Sequence, residues 1–395
     1  MFWQRRFNAF VVRMRAHDIP VRLRLWNGME ADLGASPGVT ITVPSLAALR
    51  YLLDPSLDNL GQAYVEGKIQ VDGRLPDIID VATRLAAHAQ DNNRRRGKHL
   101  IRHTRRIDAD AIAYHYDVSN EFYSLWLDPN MVYSCAYFRA PTETLDAAQI
   151  NKIDHILTKL RVRPGDRLLD IGCGWGALAM RAADKFGARV LGITLSQNQY
   201  ELARERIARA GLGDRCEVRL EDYRDVAGTF DRISSVGMFE HVGLKNLRSY
   251  FSRIRELLRD DGVALNHGIT SADHESGETP FGGGDFIGRY VFPHGELPHL
   301  SLALKEMGAA GLETVDVENL RRHYALTLQH WATRFEEAGG RLKALAGDKR
   351  WRIWRVYLAG CAHAFTHQWI EIHQFLAVKG GKAPLPLTRD YMYGK

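Results

Sequence analysis

The chain has 395 residues, of which 45% are hydrophobic and 25% charged, and its formal net charge is +6 at pH 7. This composition excludes an intrinsically disordered chain and is typical of a globular protein with more than one domain. The absence of any run of 18 or more apolar residues excludes a transmembrane helix, and the N-terminal residues lack the apolar region of a signal peptide. We therefore expect a cytoplasmic protein.

The cysteines lie far apart in the sequence and form no CxxC pair: Cys135, Cys173, Cys216 and Cys361. This spacing predicts neither a disulfide framework nor a zinc site, and no metal site is expected. Each cysteine is first interpreted as a small buried hydrophobic residue.

The N-terminal part, residues 1–108, is predicted to be a small α+β domain ending in a basic linker. Residues 1–90 mix short strand-like alternation with helical segments. The stretch 92–107 holds seven arginines and lysines and two histidines. Such a cluster attracts nucleic acid or an anionic bilayer, and the alternative is a solvated linker helix. A second domain is predicted over 109–395.

From about residue 165 the pattern changes to alternating strands and helices. Strands are predicted at 166–172 and 189–195, and each is followed by a helix, at 177–186 and 196–211. Three further strands follow, so the pattern predicts a doubly wound, mainly parallel sheet. The period-two alternation over 369–380 predicts an antiparallel strand at the sheet edge.

The stretch "LLDIGCGWGALA" (168–179) is a strand that leads through a glycine turn into a helix. Gly172, Gly174 and Gly176 allow close approach of a ligand to the backbone, and Asp170 precedes the turn. The spacing is GxGxG, which differs from the GxGxxG of dinucleotide-binding proteins and from a triphosphate-binding loop. A ligand is expected at the carboxyl ends of the strands, and the alternative is a tight turn without a ligand.

The stretch "ISSVGMFEHVGL" (233–244) places an acid and an imidazole at the end of a core strand. Glu240 and His241 interrupt an otherwise apolar run. Because charged groups are rarely buried without a partner or a role, this pair is a candidate for proton chemistry.

Five stretches occur together in one order, and together they resemble one family. They are "AYHYDVSNEFYSLWLDPNMVYSCAYF" (113–138), "LDIGCGWG", "GITLSQNQ" (192–199), "LEDYRD" (220–225) and "VGMFEHVG". The sequence resembles class I S-adenosylmethionine-dependent methyltransferases, and specifically the cyclopropane-fatty-acyl-phospholipid synthases and the mycolic-acid cyclopropane synthases. The similarity covers about residues 110–380 and extends more weakly to the N-terminal region.

The resemblance implies a seven-stranded-type sheet and a small N-terminal lipid-binding domain. It implies transfer of a methylene group from S-adenosylmethionine to the cis double bond of an acyl chain in membrane phospholipid. The alkene attacks the sulfonium methyl, a carbocation forms, and a proton leaves as the ring closes. The implied partners are unsaturated phospholipid at the inner face of the membrane, with peripheral association, and a second copy of the chain in a homodimer.

Cofactor-binding residues carry over from the matching motifs. The set implied by the resemblance is Tyr133, Ser134, Asp170, Gly172, Cys173, Gly174, Thr194, Leu195, Ser196, Gln199, Asp222 and Tyr223. The second strand lacks the usual terminal acid, so Thr194, Ser196 or Gln199 would hold the ribose through neutral hydrogen bonds. Tyr223 offers a stacking face to the adenine.

The resemblance also implies a bound bicarbonate ion as the general base. The matching residues are Cys135, Glu240, His267, Tyr324 and the backbone N–H of Ile269. A carboxylate facing a carbocation risks forming an ester, so Glu240 is interpreted as a holder of the base, with a raised pKa, and Cys135 is expected to stay a thiol.

Two neighbouring assignments stay open. His241 is either a structural histidine or a residue on the cofactor side of the site. Cys361 matches a suspected nucleophile of the family, and its apolar helical surroundings favour a buried structural thiol.

The carbocation requires a dry site with aromatic walls. Candidate aromatic residues are Tyr137, Phe138, Phe239 and Tyr290, although each could be an ordinary core residue. The glycine- and proline-rich stretch 282–298 is interpreted as a lid or acyl-chain wall, with a structural connection as the alternative.

Three other functions remain as alternatives. One is a related fatty-acyl C-methyltransferase that gives a methyl- or methylene-branched chain. Another is an inactive lipid-binding homologue, which the complete set of candidate residues argues against. A nucleic-acid methyltransferase would be supported by the basic stretch alone, so no nucleic-acid partner is expected.

Overall fold

The structure is a computed structural model that describes residues 2–89, 118–274, 280, 283–292, 295–381 and 385–393. The basic stretch 92–107 and its predicted linker role lie outside the described residues. No helix within the described ranges is long and apolar enough to cross a bilayer.

The elements follow in chain order. The helices are α1 (Phe2–Arg15), α2 (Leu49–Leu53), α3 (Leu57–Val65), α4 (Leu75–Ala87), α5 (Asn120–Ser124), α6 (Leu145–Lys159), α7 (Ala177–Lys185), α8 (Gln197–Arg209), α9 (Leu247–Leu257), α10 (Gly284–Tyr290), α11 (Leu300–Ala309), α12 (Arg321–Glu337) and α13 (Gly339–Thr366). The strands are β1 (Val21–Leu25), β2 (Glu30–Asp32), β3 (Val39–Val43), β4 (Gln70–Asp72), β5 (Arg167–Ile171), β6 (Arg189–Thr194), β7 (Cys216–Leu220), β8 (Phe230–Val236), β9 (Leu258–Ser271), β10 (Glu313–Asn319) and β11 (Ile370–Val378).

The chain forms two compact units. The first comprises residues 1–100, 278–293 and 339–364, and the second comprises the remainder. The first unit therefore also contains 278–293 and 339–364, which the predicted boundary at residue 108 had placed in the second domain. Its predicted lipid-binding role stays a prediction.

The second unit contains the predicted mainly parallel sheet. The strand order is β10-β11-β9-β8-β5-β6-β7, and β5 to β9 run parallel. Buried strands such as β5 are apolar because helices cover both faces of a parallel sheet. The carboxyl ends of β5, β6 and β8 meet at one edge, which is where such sheets bind ligands.

The predicted edge position of the last strand is wrong. β11 is antiparallel, as predicted, but it lies between β9 and β10 and pairs with both, so β10 is the edge strand. Most of β11 is buried, including polar positions His373 and Gln374. Its period-two pattern therefore did not identify a solvent-exposed edge.

The first unit contains a four-stranded sheet in the order β2-β1-β3-β4 and is α+β, as predicted. The stretch predicted as a lid contributes α10 to this unit. The backbone N–H of Phe286 donates to the Asp58 carboxylate at 2.6 Å, and the Tyr290 hydroxyl donates to Glu66 at 3.0 Å. These long-range contacts explain why 278–293 joins the N-terminal residues.

Candidate active site

The glycine turn connects β5 to α7 at the carboxyl edge of the sheet. Gly172 has a φ of 77° and Gly174 a φ of 55°, and residues other than glycine rarely adopt these backbone conformations. The backbone N–H groups of Gly172 and Cys173 both donate to the Ile193 carbonyl, at 3.0 and 2.9 Å. The turn is thereby held against β6 with its backbone open to a cavity.

A cavity beside this turn collects most of the predicted cofactor residues. Those lining it are Tyr133, Ser134, Asp170, Gly172, Cys173, Gly174, Thr194, Leu195, Gln199 and Tyr223. Ser196 and Asp222 do not line it. Ser196 accepts the N–H of Gln199 and caps α8, and Asp222 forms an ion pair with Arg224 at 2.6 Å.

Several cavity residues were missed in the sequence. Lys152, Trp175 and Glu221 line the cavity, as does His241, the residue with two open interpretations. Glu221 directly follows β7, a position at which a ligand-binding acid could have been expected. Lys152 gave no local signal, because it lies within the amphipathic helix α6.

Polar groups of the cavity wall are tied to one another. The Thr194 hydroxyl donates to Gln199 Oε1 at 2.8 Å, and the Ser234 hydroxyl donates to Asp170 Oδ1 at 2.8 Å. Burial raises the pKa of Asp170 to about 6. Burial also raises the pKa of Cys173 well above its usual value, so this residue is a thiol that contributes its backbone to the turn.

Glu240 and His241 lie on a short 3₁₀ turn after β8 and have different surroundings. His241 lines the cavity. Glu240 is 9% exposed, and its Oε1 accepts the backbone N–H of Ile269 at 2.7 Å. Its Oε2 is buried without a hydrogen-bond partner in the described part of the chain. The Ile269 N–H, predicted to hold the anion, is therefore bonded to Glu240 here.

His267 is fully buried on β9 and, like Glu240, has a buried polar atom without a hydrogen-bond partner in the described part of the chain. Its Nδ1 lies 3.1 Å from Gln374 Nε2, while no residue of the described ranges bonds to its Nε2. Burial lowers the pKa of His267 well below its usual value, so the ring is neutral. Because the Gln374 amide donates to Nδ1, Nδ1 carries no proton and the proton of the neutral ring lies on Nε2. The Nε2–H group is therefore an unused donor in the protein interior.

The Cys135 thiol and the backbone N–H of Tyr324 both point to the carbonyl oxygen of Leu320. The Cys135 sulfur lies 3.8 Å from this oxygen, and the Tyr324 N–H donates to it at 3.0 Å. The Leu320 N–H donates to Ile372, which pairs with Ile269 across β11 and β9. Burial raises the pKa of Cys135, so it is a thiol, as predicted.

The candidate anion-binding residues and the cavity share neighbours. Tyr133, Ser134 and His241 line the cavity. Cys135 directly follows the first two in the chain, and Glu240 directly precedes His241. The N–H of Gly237, another cavity residue, donates to the His267 carbonyl at 2.9 Å. The second unit thus brings both predicted groups of residues to one end of the sheet.

Cys361 belongs to the first unit, on α13, unlike the other candidate catalytic residues. The prediction that its thiol is buried is wrong, because the residue is partly exposed. Desolvation nevertheless raises the pKa of the thiol to about 12. A thiol with this pKa is a poor nucleophile at neutral pH, which favours the structural interpretation.

The predicted aromatic candidates have packing roles. Tyr137 stacks between His155 and His323, with ring centroids 4.3 and 4.7 Å away, and Phe138 stacks on His330 at 5.6 Å. Phe239 fills the space above Gly268, where a Cβ would lie 2.5 Å from its ring.

A different set of aromatic residues links the two groups of site residues. Tyr133 lines the cavity and lies 5.2 Å from Trp331, which lies 6.0 Å from Tyr324. This arrangement depends on the packing of α12 and had no signal in the sequence.

Residues 103–375 match the family model described as mycolic acid cyclopropane synthetase. The chain belongs to this family. The family consists of S-adenosylmethionine-dependent methyltransferases. The match confirms the resemblance seen in the sequence, and the sheet confirms the predicted class I methyltransferase fold. Residues 11–94 match a model described as a domain of unknown function.

Relatives with known names cover most of the chain. A probable fatty acid methyltransferase of Pseudomonas putida is 49% identical over 96% of this chain and 98% of its own length. The cyclopropane-fatty-acyl-phospholipid synthase of Escherichia coli (strain K12) is 35% identical over 86% of this chain and 87% of its own. The crystal structure of mycolic acid cyclopropane synthase CmaA1, complexed with SAH and CTAB, is 37% identical over 68% of this chain and 97% of its own, with a TM-score of 0.65.

The hydrogen bond between Gln374 and His267 leads to a prediction. Gln374→Glu should move the ring proton to Nδ1, because a carboxylate accepts where the amide donates. We expect turnover to fall by about tenfold, the equivalent of one hydrogen bond, with cofactor affinity unchanged. Rate measurements and ¹⁵N NMR of the histidine tautomer would test this. Gln368→Glu is the control, since Gln368 is an exposed residue; an unaltered tautomer in the Gln374 variant would contradict the prediction.

Proposed function

We propose that this protein converts the cis double bond of an unsaturated phospholipid acyl chain into a cyclopropane ring. The observation that carries the proposal is the pair of buried, orphaned polar atoms, Glu240 Oε2 and His267 Nε2, on residues whose neighbours line the cofactor cavity. A neutral donor on His267 and an acceptor on Glu240 suit an anion that carries one proton, such as bicarbonate.

The cavity also fits S-adenosylmethionine. The open backbone at Gly172 and Gly174 permits close approach of a ligand, Tyr223 offers an aromatic face to a base, and Thr194 and Gln199 supply neutral polar groups. When bound, S-adenosylmethionine supplies an electrophilic methyl group, and bicarbonate supplies a base that is not covalently attached to the protein.

The protein's own residues have separate tasks in this proposal. Glu240 accepts a hydrogen bond and a proton, His267 donates from Nε2, and the Tyr324 hydroxyl donates to the same anion. The Cys135 thiol stays protonated, so it does not compete as a nucleophile. Tyr133 and Trp331 offer apolar faces that exclude water and stabilise positive charge on the acyl chain.

A second candidate function has support from the 49% identity to a probable fatty acid methyltransferase. In that reaction the transferred methyl group is retained as a methyl or methylene branch. Both reactions begin with the same methyl transfer to give a carbocation. Loss of a methyl proton with ring closure gives the cyclopropane, whereas a 1,2-hydride shift followed by loss of a methyl proton gives a methylene branch, which a separate hydride donor would have to reduce to a methyl branch.

One experiment separates the two reactions. The protein is incubated with S-adenosylmethionine, bicarbonate and vesicles of unsaturated phospholipid, and the fatty-acid methyl esters are analysed by gas chromatography and mass spectrometry. Loss of the alkene with a cyclopropane product supports the proposal. A branched product supports the second function, and cofactor binding without any product would argue for an inactive lipid-binding protein.

Peripheral association with the membrane is part of the proposal and yields its own prediction. Neutralising Arg94, Arg95 and Arg96 should weaken binding to anionic vesicles, by about 1 kcal/mol for each charge near the surface. The difference from wild type should shrink as salt rises from 0.05 to 0.5 M, a range we choose because screening increases strongly over it. Vesicle co-sedimentation would measure this, and binding that is independent of salt would reject the role.

A further inference from the structure

Lys152 is a buried cation in the wall of the cofactor cavity. The residue is 2% exposed, and its Nζ donates to the Ser134 hydroxyl at 2.7 Å. Both residues line the cavity. Buried lysines are rare unless an anion accompanies them, so the missing counter-ion requires an explanation.

The two carboxylates that act electrostatically on Lys152 have other partners. Asp128 accepts the backbone N–H groups of Asn130 and Val132, at 2.9 and 2.8 Å, and Asp170 accepts the Ser234 hydroxyl. Neither forms an ion pair with Lys152 within 4 Å in the part of the chain that the structure describes. The ammonium therefore has unused donors beside the cavity.

We infer that the Lys152 ammonium, with the Ser134 hydroxyl, binds the α-carboxylate of the methionine group of S-adenosylmethionine. The inference rests on the proposed S-adenosylmethionine site. It adds Lys152, which lies outside the sequence motifs that predicted that site. It is favoured by geometry, since Ser134 follows Tyr133 in the cavity wall and Lys152, on α6, lines the same cavity and bonds to Ser134. A carboxylate would complete the ion pair that the protein leaves open.

Burial also disfavours the charged form of the Lys152 side chain. Burial lowers the pKa of Lys152 to about 8. A bound carboxylate would favour the charged form and raise this pKa again. Carboxylate binding should therefore weaken as the pH rises above about 8, and an arginine in place of Lys152 should remove this dependence because it stays charged.

Comparing two ligands measures the contribution of the carboxylate to binding. S-adenosylhomocysteine carries it, and decarboxylated S-adenosylhomocysteine differs by its loss alone. Calorimetry with the full chain should show that Lys152→Met weakens binding of the first ligand by about ten- to a hundredfold and of the second by less than about threefold. Lys152→Arg should retain more affinity for the first ligand than Lys152→Met.

The outcomes distinguish this inference from the proposed function. Equal loss of affinity for both ligands, or no loss for either, would overturn the role of Lys152. Failure of the wild-type protein to bind S-adenosylhomocysteine would instead count against the cofactor site itself. If Lys152 holds bicarbonate, the methionine variant will bind S-adenosylhomocysteine normally and lose only the stimulation of turnover by added bicarbonate, which also overturns the inference. Thermal unfolding checks folding, and Lys152→Gln serves if the methionine variant does not fold.

Discussion

Replacing Glu240 by glutamine is expected to lower turnover by about a hundred- to ten-thousandfold, the range for loss of a positioned proton-transfer group. Affinity for S-adenosylmethionine should change by less than about threefold, because Glu240 is not among the residues lining the cavity. The amide can still accept the Ile269 N–H, but it cannot accept a proton at the buried position of Oε2. Initial rates of product formation and calorimetry of cofactor binding would measure the two quantities.

The pH dependence of the same variant provides a further readout. Burial raises the pKa of Glu240 from 4.5 to about 7. Because the ionised carboxylate is the proposed active form, the wild-type rate should rise through about pH 7 and level off above it. The variant should lack this rise.

The raised pKa also predicts how stability changes. Protonated Glu240 contributes stability that is fully present below about pH 4.5 and is lost as the pH rises through about 7. Glu240→Gln stays neutral, so its thermal unfolding temperature at pH 8 should be no lower than that of wild type. Glu256→Gln is the control, because Glu256 is exposed and pairs with Arg253 on α9. Parallel loss of turnover and cofactor affinity in the Glu240 variant would undermine its role as holder of the base.

A valine at Gly174 is expected to weaken S-adenosylmethionine binding by at least about a hundredfold, because the new side chain occupies the cavity beside the glycine turn. Gly174 has a φ of 55°, and no described atom lies within 4 Å of a Cβ built there. The new Cβ therefore meets no described neighbour, and the valine removes space and prevents close approach of the ligand to the backbone.

Gly165 provides a matched control for this substitution. It has a φ of 87°, its Cβ would likewise meet no described atom within 4 Å, and it lies in the turn before β5 rather than in the cavity wall. Both valine variants carry the strain of a left-handed backbone, about 1–2 kcal/mol, and should lose similar unfolding free energy in denaturant titrations. Normal cofactor binding by the Gly174 variant, or equal losses in both, would contradict the assignment of the cavity.

Local sequence patterns were sufficient to predict structural elements that are formed by one contiguous stretch of chain. The β5–turn–α7 unit follows from apolar strand residues, three glycines and a helical continuation, and the structure has these elements within one or two residues of their predicted bounds. The edge assignment of β11 failed because alternation describes the side chains of one strand and contains no information about which strands lie on either side of it.

The sequence alone determined the family and the doubly wound fold, and ten of its twelve predicted cofactor residues line the cavity in the structure. It did so because strand periodicity, turn glycines and motif order are properties of contiguous residues. Only the tertiary structure decided that Glu240 and His241 face different surroundings, that Ile269 bonds to Glu240, and that Lys152 lines the cavity. These features depend on desolvation and on contacts between distant segments, and both arise only when the sheet and its helices pack together.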